Sequence, residues 1–216
     1  MVTLGAREGL EAEIRRDGVE RLAIAVRELA DAAAVTAVDR ATLDEVRGAL
    51  ALLTQRLQAE TDDDGYSGLV IKPVDYSVPE LSMPLNPIVG RCNPSRPDVQ
   101  LRWVDGEVVG TATFSRRFVG PPGHVHGGIS AMLADQIVAS TAGALKVKIV
   151  TKSLTVRFLR AVPLDEELEL WGVCTPDGEN YRARFTVTAR GKIAVAGTGV
   201  LVPLRNFVKR TDITRA

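Results

Sequence analysis

One segment limits the folds open to this chain more than any other. From Gly127 to about Leu145 the residues are apolar on nearly every side of a helical wheel, and Asp135 is the sole charge. A helix that is apolar all round must be buried. The stretches beyond it alternate instead, most cleanly where Tyr181, Ala183, Phe185, Val187 and Ala189 interleave with Arg182, Arg184, Thr186, Thr188 and Arg190. That period of two marks strands with one wet face. A single buried helix among such strands predicts an α+β domain whose antiparallel sheet curls around the helix.

The rest of the chain parses around this unit. Strands are predicted near Gln100 to Val104, Glu107 to Phe118, Ile149 to Phe158, Glu166 to Cys174, Tyr181 to Arg190 and Lys192 to Val202, with hairpin turns at Asp105-Gly106 and Gly191. The first sixty residues read as helix. Leu22, Val26, Leu29 and Ala33 fall on one face, and Leu43, Val46, Leu50, Leu53 and Leu57 form a second stripe. Thr42 with Glu45 suggests a capping box before the second stripe, and an antiparallel helix pair is the economical reading. Between these parts lies an acidic, turn-prone run and then a stretch studded with Pro73, Pro79, Pro84, Pro87, Pro94 and Pro97, which cannot be regular structure throughout. The expected organisation is a helical extension over 1–62, a proline-rich linker over 63–98, a sheet-and-helix domain over 99–204 and a tail over 205–216.

Charge and cysteine usage remove several classes of function. Lys and Arg number 27 against 27 Asp and Glu, so the chain lacks the basic field that nucleic-acid binding draws on. Cys92 and Cys174 have no C-x-x-C spacing, and with His124 and His126 the only histidines a structural zinc site runs short of ligands. No metal is expected. Residues Met1 to Gly18 mix Glu and Arg and carry no leader-like apolar run, and Asp135 interrupts the longest apolar segment. The expectation is a cytoplasmic protein without membrane insertion.

Two features bear on chemistry. Gly120-Pro121-Pro122-Gly123-His124-Val125-His126-Gly127-Gly128 is a stiff loop that runs straight into the apolar helix. The first amides of a helix lack intrahelical partners and carry the positive end of its dipole, so they stabilise negative charge on a substrate oxygen. Gly127 and Gly128 either expose those donors or simply permit a tight turn, and spacing alone leaves both readings open. Asp135 is too far from the helix start to be a cap. A carboxylate among apolar residues either faces a partner or a solvent channel, or serves acid–base or nucleophilic chemistry, or makes a structural hydrogen bond.

His126-Gly127-Gly128 with Asp135 nine residues after the histidine resembles the hotdog-fold acyl-CoA thioesterases of the phenylacetate-pathway (PaaI-like) and THEM-type branch. The Gly120-Pro121-Pro122-Gly123 loop, the strand from Thr151 to Phe158 and the run Arg160 to Leu164 match that branch in order and spacing. The resemblance covers roughly Gln100 to Leu204. It implies a homodimer or tetramer with each active site built across a subunit interface. The Gly127 N–H, helped by Gly128, polarises the thioester carbonyl; Asp135 from the partner is general base or nucleophile; Thr151 orients the water or the carboxylate. His126 fixes the loop or moves a proton. Gln136 and Met132 on the helix line the acyl site, with an apolar wall of Met132, Leu133 and Phe158. Lys152 and Arg157 on the strand, with Lys148, Arg182 and Arg184, stand in for basic residues that relatives place at a turn reading Gly178-Glu179-Asn180 here.

The function so implied is hydrolysis of an acyl-CoA to free acid and CoA, with CoA entering as substrate and no other cofactor. The altered turn keeps a second reading open, a non-catalytic hotdog protein that binds acyl-CoA or another acyl ligand. A hotdog hydratase or dehydratase fits less well, because its acid and histidine constellation is not visible.

Overall fold

The computed structural model describes residues 4–61, 69, 79–143 and 149–204. Helices α1 (Leu4–Val35) and α2 (Arg40–Gln58) are followed by a short α3 (Pro79–Ser82) and by strands β1 (Asp98–Val104) and β2 (Glu107–Thr113). Then come α4 (Gly127–Ser140), β3 (Ile149–Phe158), β4 (Leu168–Asp177), β5 (Asn180–Ala189) and β6 (Lys192–Pro203). The strands form one antiparallel sheet in the order β1-β2-β4-β5-β6-β3, with α4 packed across β3 to β6. This is the hotdog arrangement, a sheet wrapped on a central helix. Both predicted hairpins are two-residue turns with positive φ at Asp105 and Gly106 and at Arg190 and Gly191, the geometry that suits the twist of paired strands.

The alternation in β5 is resolved as expected. Ala183, Phe185 and Val187 are buried while Arg182 and Arg184 are exposed. Two glycines let the helix come close. A Cβ on Gly199 of β6 would stand 2.4 Å from Val138 Cγ1, and one on Gly172 of β4 would stand 2.8 Å from Ile137 Cγ2. Both helix side chains are fully buried, so α4 lies in a trough that only residues without side chains leave open.

The proline-rich stretch is part of this core where it is described. Ile88 and Val89 are buried in the core cluster, and Cys92 is buried with its Sγ 3.8 Å from the Arg16 carbonyl of α1. Asn86 Oδ1 accepts from the amides of Ile88 and Val89, and its Nδ2 donates to Gln136 Oε1 on α4 at 2.8 Å. Its described part is thus tied to the central helix by a part-buried hydrogen bond and packs on the sheet domain. Pro73 lies outside the described residues.

Several expectations need correction. The strand foreseen to Phe118 stops at Thr113, because Phe114 turns into the core and meets Phe118 edge-on at 5.4 Å through a turn of 3-10 helix at Arg116–Phe118. Helix α4 ends at Ser140 rather than near Leu145. Gly143 follows under the Trp103 indole, where a Cβ would stand 2.8 Å from Nε1, and Leu145 itself is outside the described residues. The cap of α2 is Asp39, not Thr42: the Asp39 carboxylate accepts from the Thr42 amide at 2.8 Å, and that bond holds its pKa below the usual carboxylate range. A charged acceptor at the first turn outcompetes a hydroxyl further along.

The helices of the extension exist, but the antiparallel packing expected of them does not form within the chain. No residue of α2 is buried, and Leu22, Leu29, Leu43 and Leu50 are all exposed. Helix α1 instead docks on the sheet domain by its other face. Ala23 is buried there, Arg27 Nη1 donates to the Asn93 carbonyl at 2.9 Å, and Asp31 takes a hydrogen bond from Ser115 and pairs with Arg117 Nε at 2.7 Å. No described helix is long and apolar enough to cross a membrane.

The close seating of α4 generates a test. Gly199→Ala should lower stability by about 1 to 3 kcal/mol, the usual cost of overpacking a core, because Val138 has nowhere to move. Urea unfolding of wild type and variant reads the difference directly.

Candidate functional site

The loop before α4 folds back on itself. Gly120 N–H donates to the His124 carbonyl, His124 N–H to Pro121, Val125 N–H to Val162, and His126 N–H to Phe118. Two of its glycines have structural reasons to be there. A Cβ on Gly120 would meet His126 Cα at 2.7 Å, and Gly123 has φ +76°. His124 is half-buried, with Nδ1–H donating to the Pro122 carbonyl at 2.9 Å. It lies at the rim of a cavity of about 500 Å³ with Arg160, Glu166 and Lys192.

At the helix start the two remaining glycines part company. His126 is the N-cap, and its Nδ1 accepts from the Gly128 N–H at 3.0 Å. That bond uses the Gly128 donor, so Gly128 is not a second oxyanion donor; a Cβ there would also stand 3.1 Å from His126 Nδ1. The ring thereby takes the fixing role rather than standing free. Gly127 is different. Among the described residues its N–H has no partner. Its φ is not positive, and a Cβ would meet only the Phe158 ring at 3.8 Å, an ordinary contact. Nothing inside one chain requires glycine at position 127.

Asp135 lies on the outer side of α4 and is exposed, with no hydrogen bond or ion pair among the described residues. The helix thus escapes the cost of burying the charge. Met132, one turn earlier on the same side, is half-buried. Leu133 is not part of any wall beside them, since it is core at 1% exposed. Gln136 also points inward: its Oε1 accepts from Asn86 and its Nε2 donates to Ser140 Oγ at 3.0 Å. Both ends of the Gln136 amide are thus hydrogen-bonded within the scaffold.

Thr151 is aimed by an irregularity that the sequence pattern hides. The pairing of β3 with β6 shifts between Thr151 and Ser153, leaving Lys152 as a bulge. Strict alternation would put Thr151 on the face of Ser153, Thr155 and Arg157. The bulge instead sets it opposite buried Leu201, on the face that Leu154 and Val156 present to the core. Lys152 and Arg157 are exposed on this edge strand. Arg182 is paired with Asp177 at 2.8 Å, Arg184 is exposed, and Lys148 lies outside the described residues.

Gly127 starts α4 and Asp135 lies beyond the middle of the same helix. Eight helical residues separate them, about 12 Å along the axis, which an aspartate side chain does not span. Phe158, at the end of β3, touches the Gly127 end of α4, so Thr151, seven residues back along the strand, lies roughly 23 Å away. Each chain therefore offers a bare helix amide at the start of α4, with Asp135 and Thr151 both set well away from it.

The described residues hold no group of three or more His, Cys, Asp and Glu placed to bind a metal. Burial raises the pKa of both Cys92 and Cys174, which keeps them as thiols and removes them as thiolate nucleophiles. As a cap, His126 has a measurable consequence. His126→Ala should cost about 1 kcal/mol of stability, and His126→Asn should recover most of it, because an amide oxygen caps as well as an imidazole. Thermal or urea unfolding of the two variants checks this.

Comparison with known proteins follows the same division of the chain. Residues 122–176, which hold the loop, α4 and β3, match the Thioesterase superfamily model. A crystal structure of a thioesterase superfamily protein is 30% identical, covering 85% of this chain and 90% of its own, with a TM-score of 0.73. That coverage exceeds what the sheet domain alone can supply, so the likeness takes in part of the helical extension. A hypothetical thioesterase of Streptococcus pneumoniae crystallised with coenzyme A is 25% identical over 48% of this chain and 84% of its own, with a TM-score of 0.45. A phenylacetic acid degradation-related protein of Ralstonia eutropha is 20% identical over 48% and 83%, with a TM-score of 0.44. No curated protein matches. The long match to the first of these, together with the family model over the loop and central helix, establishes that the chain belongs to the thioesterase superfamily.

Proposed function

We propose that this protein hydrolyses an acyl-CoA thioester to the free acid and CoA, with no cofactor beyond the CoA of its substrate. The observation that carries this reading is Gly127. Among the described residues its amide has no partner and nothing requires glycine there, and it sits at the positive end of a helix dipole. A carbonyl oxygen from outside the chain supplies what is missing. A side chain at 127 would not clash with the protein, but it would stand in the way of that oxygen.

In this reading the thioester oxygen accepts from Gly127 N–H, and negative charge developing on it is met by a fixed donor. Asp135 of a second copy lies across the interface, because its own chain holds it about 12 Å away from Gly127. As a base it takes a proton from water while the water oxygen bonds to the carbonyl carbon. The tetrahedral oxyanion then collapses, the carbon–sulfur bond breaks, and the thiolate of CoA takes the proton back. As a nucleophile the carboxylate itself bonds to the carbonyl carbon and expels CoA as its thiolate, leaving an anhydride that water cleaves to the free acid and the regenerated carboxylate, with the proton released passing to the thiolate. Thr151, turned inward by the bulge, is assigned the orienting hydroxyl. Met132 and the exposed ring of Phe158 offer apolar surface for the acyl group, and Lys152 and Arg157 offer charge for the carrier's phosphates. The motif His126-Gly127-Gly128 with Asp135 supports placement in the phenylacetate-pathway and THEM-type branch.

The test uses two variants that spare the fold. Asp135→Asn keeps shape and removes the carboxylate. Gly127→Pro deletes one N–H at the first helical position, where proline is favoured, and His126 before it has the extended φ −61° and ψ 135° that a following proline needs. Thiol release from a panel of short, long and aromatic acyl-CoAs should fall by roughly 10²–10⁴ for Asp135→Asn and by roughly 10²–10³ for Gly127→Pro. Co-expressing the two variants should restore about a quarter of wild-type turnover, since half the dimers are mixed and each holds one intact composite site. No recovery would place both groups in one chain's site and sink the shared-site reading. Acyl-CoA binding by wild type without turnover would replace hydrolysis with the binding function.

A further inference from the structure

Among the described residues, nothing covers the apolar stripes of the extension. On α2, Leu43, Val46, Leu50, Leu53 and Leu57 are between 37% and 57% exposed, and on α1 the outward Leu22, Val26 and Leu29 are between 37% and 41% exposed. Summed over the two helices these residues leave on the order of 600–700 Å² of surface per copy in water, close to the ~800 Å² per partner of a standard interface. A helix of 19 residues with no buried residue is also marginal by itself.

The two stripes match each other. Their spacings are four, three, four and three, four, three, four, the period of a helix seam rather than of a wide core face. Laid antiparallel they pair in one register throughout: Leu22 with Leu57, Val26 with Leu53, Leu29 with Leu50, Ala33 with Val46. Ala25 and Ala32, both exposed, border the α1 stripe and permit close approach. Within the chain this pairing is not made. Helix α1 is held to the sheet domain by Ala23, Arg27 and Asp31, with Leu22, Val26 and Leu29 exposed, and no residue of α2 is buried.

We infer that α2 seats on α1 of a second copy of this chain, and the second copy's α2 on α1 of the first, in a reciprocal four-helix exchange. Such an interface is isologous and closes on itself. It buries both stripes at once, which a pairing of α2 with α2 alone would not do. The inference stands apart from the thioesterase reading, because it rests on residues outside the sheet domain and its readout needs no turnover.

Two full-length chains with different tags, one carrying Leu29→Cys and the other Leu50→Cys, are co-expressed and mildly oxidised. The expected product is a disulfide-linked species that carries both tags. The pair Val26→Cys with Leu53→Cys should give the same product, and covers the case in which one substitution disturbs folding. Gly48→Cys, on the opposite face of α2, should give none when it replaces Leu50→Cys. In a single chain carrying Leu29→Cys and Leu50→Cys, the exchange predicts a link of doubled mass. A link that leaves the chain monomeric on a denaturing gel would show a hairpin and overturn the inference. Absence of mixed disulfides in both pairs would overturn it equally.

Discussion

Helix α4 lies so near the sheet that Gly172 and Gly199 have room for no side chain opposite Ile137 and Val138, and much else follows from that contact. It fixes the depth and direction of the helix, and so the place of its first amide. It also assigns the faces: Leu133, Ala134, Ile137 and Val138 go inward, which leaves Asp135 no position but the outer side. A carboxylate that looked anomalous among apolar residues is thus exposed without desolvation cost. The buried amide chain from Asn86 through Gln136 to Ser140 locks the same helix to the proline-rich segment, so the helix is held on a second side.

The helix start works by a division of labour between neighbouring glycines. Gly128 gives its N–H to the His126 ring, which satisfies one of the orphan donors and orders the entry into the helix. Gly127 keeps its N–H free beside the Phe158 ring. In the proposed site that amide and Asp135 come from two chains, because the rise of an α-helix holds the two apart within one.

Much of the fold was legible in the amino-acid order. Strand β3 was read to the residue, and both two-residue turns were read at their glycines. These signals are local: period-two alternation, a turn needing positive φ, an apolar run too complete to be exposed. The errors have local explanations as well. Asp39 outranked Thr42 as a cap because a carboxylate adds charge to the hydrogen bond, and the strand toward Phe118 broke where two phenylalanines found it better to pack on each other. Gln136 looked available because it adjoins Asp135 in sequence, but adjacent helical residues face directions about 100° apart.

The sequence by itself determined that one buried helix would sit against one-sided strands, that the loop before it would be stiff, and that a single carboxylate would interrupt the helix. Periodicity and turn chemistry act over a few residues, so the order of residues states them in full. Only the tertiary structure decided which glycine amide stays free, that Thr151 faces the core because Lys152 bulges, and that the stripes of α1 and α2 remain uncovered in one chain. Each of these depends on a partner far along the chain: a histidine ring turned onto an amide, a register shift against β6, a helix face already taken by Asn93 and Arg117. Such choices are settled by which surfaces meet, and spacing in the sequence does not encode that.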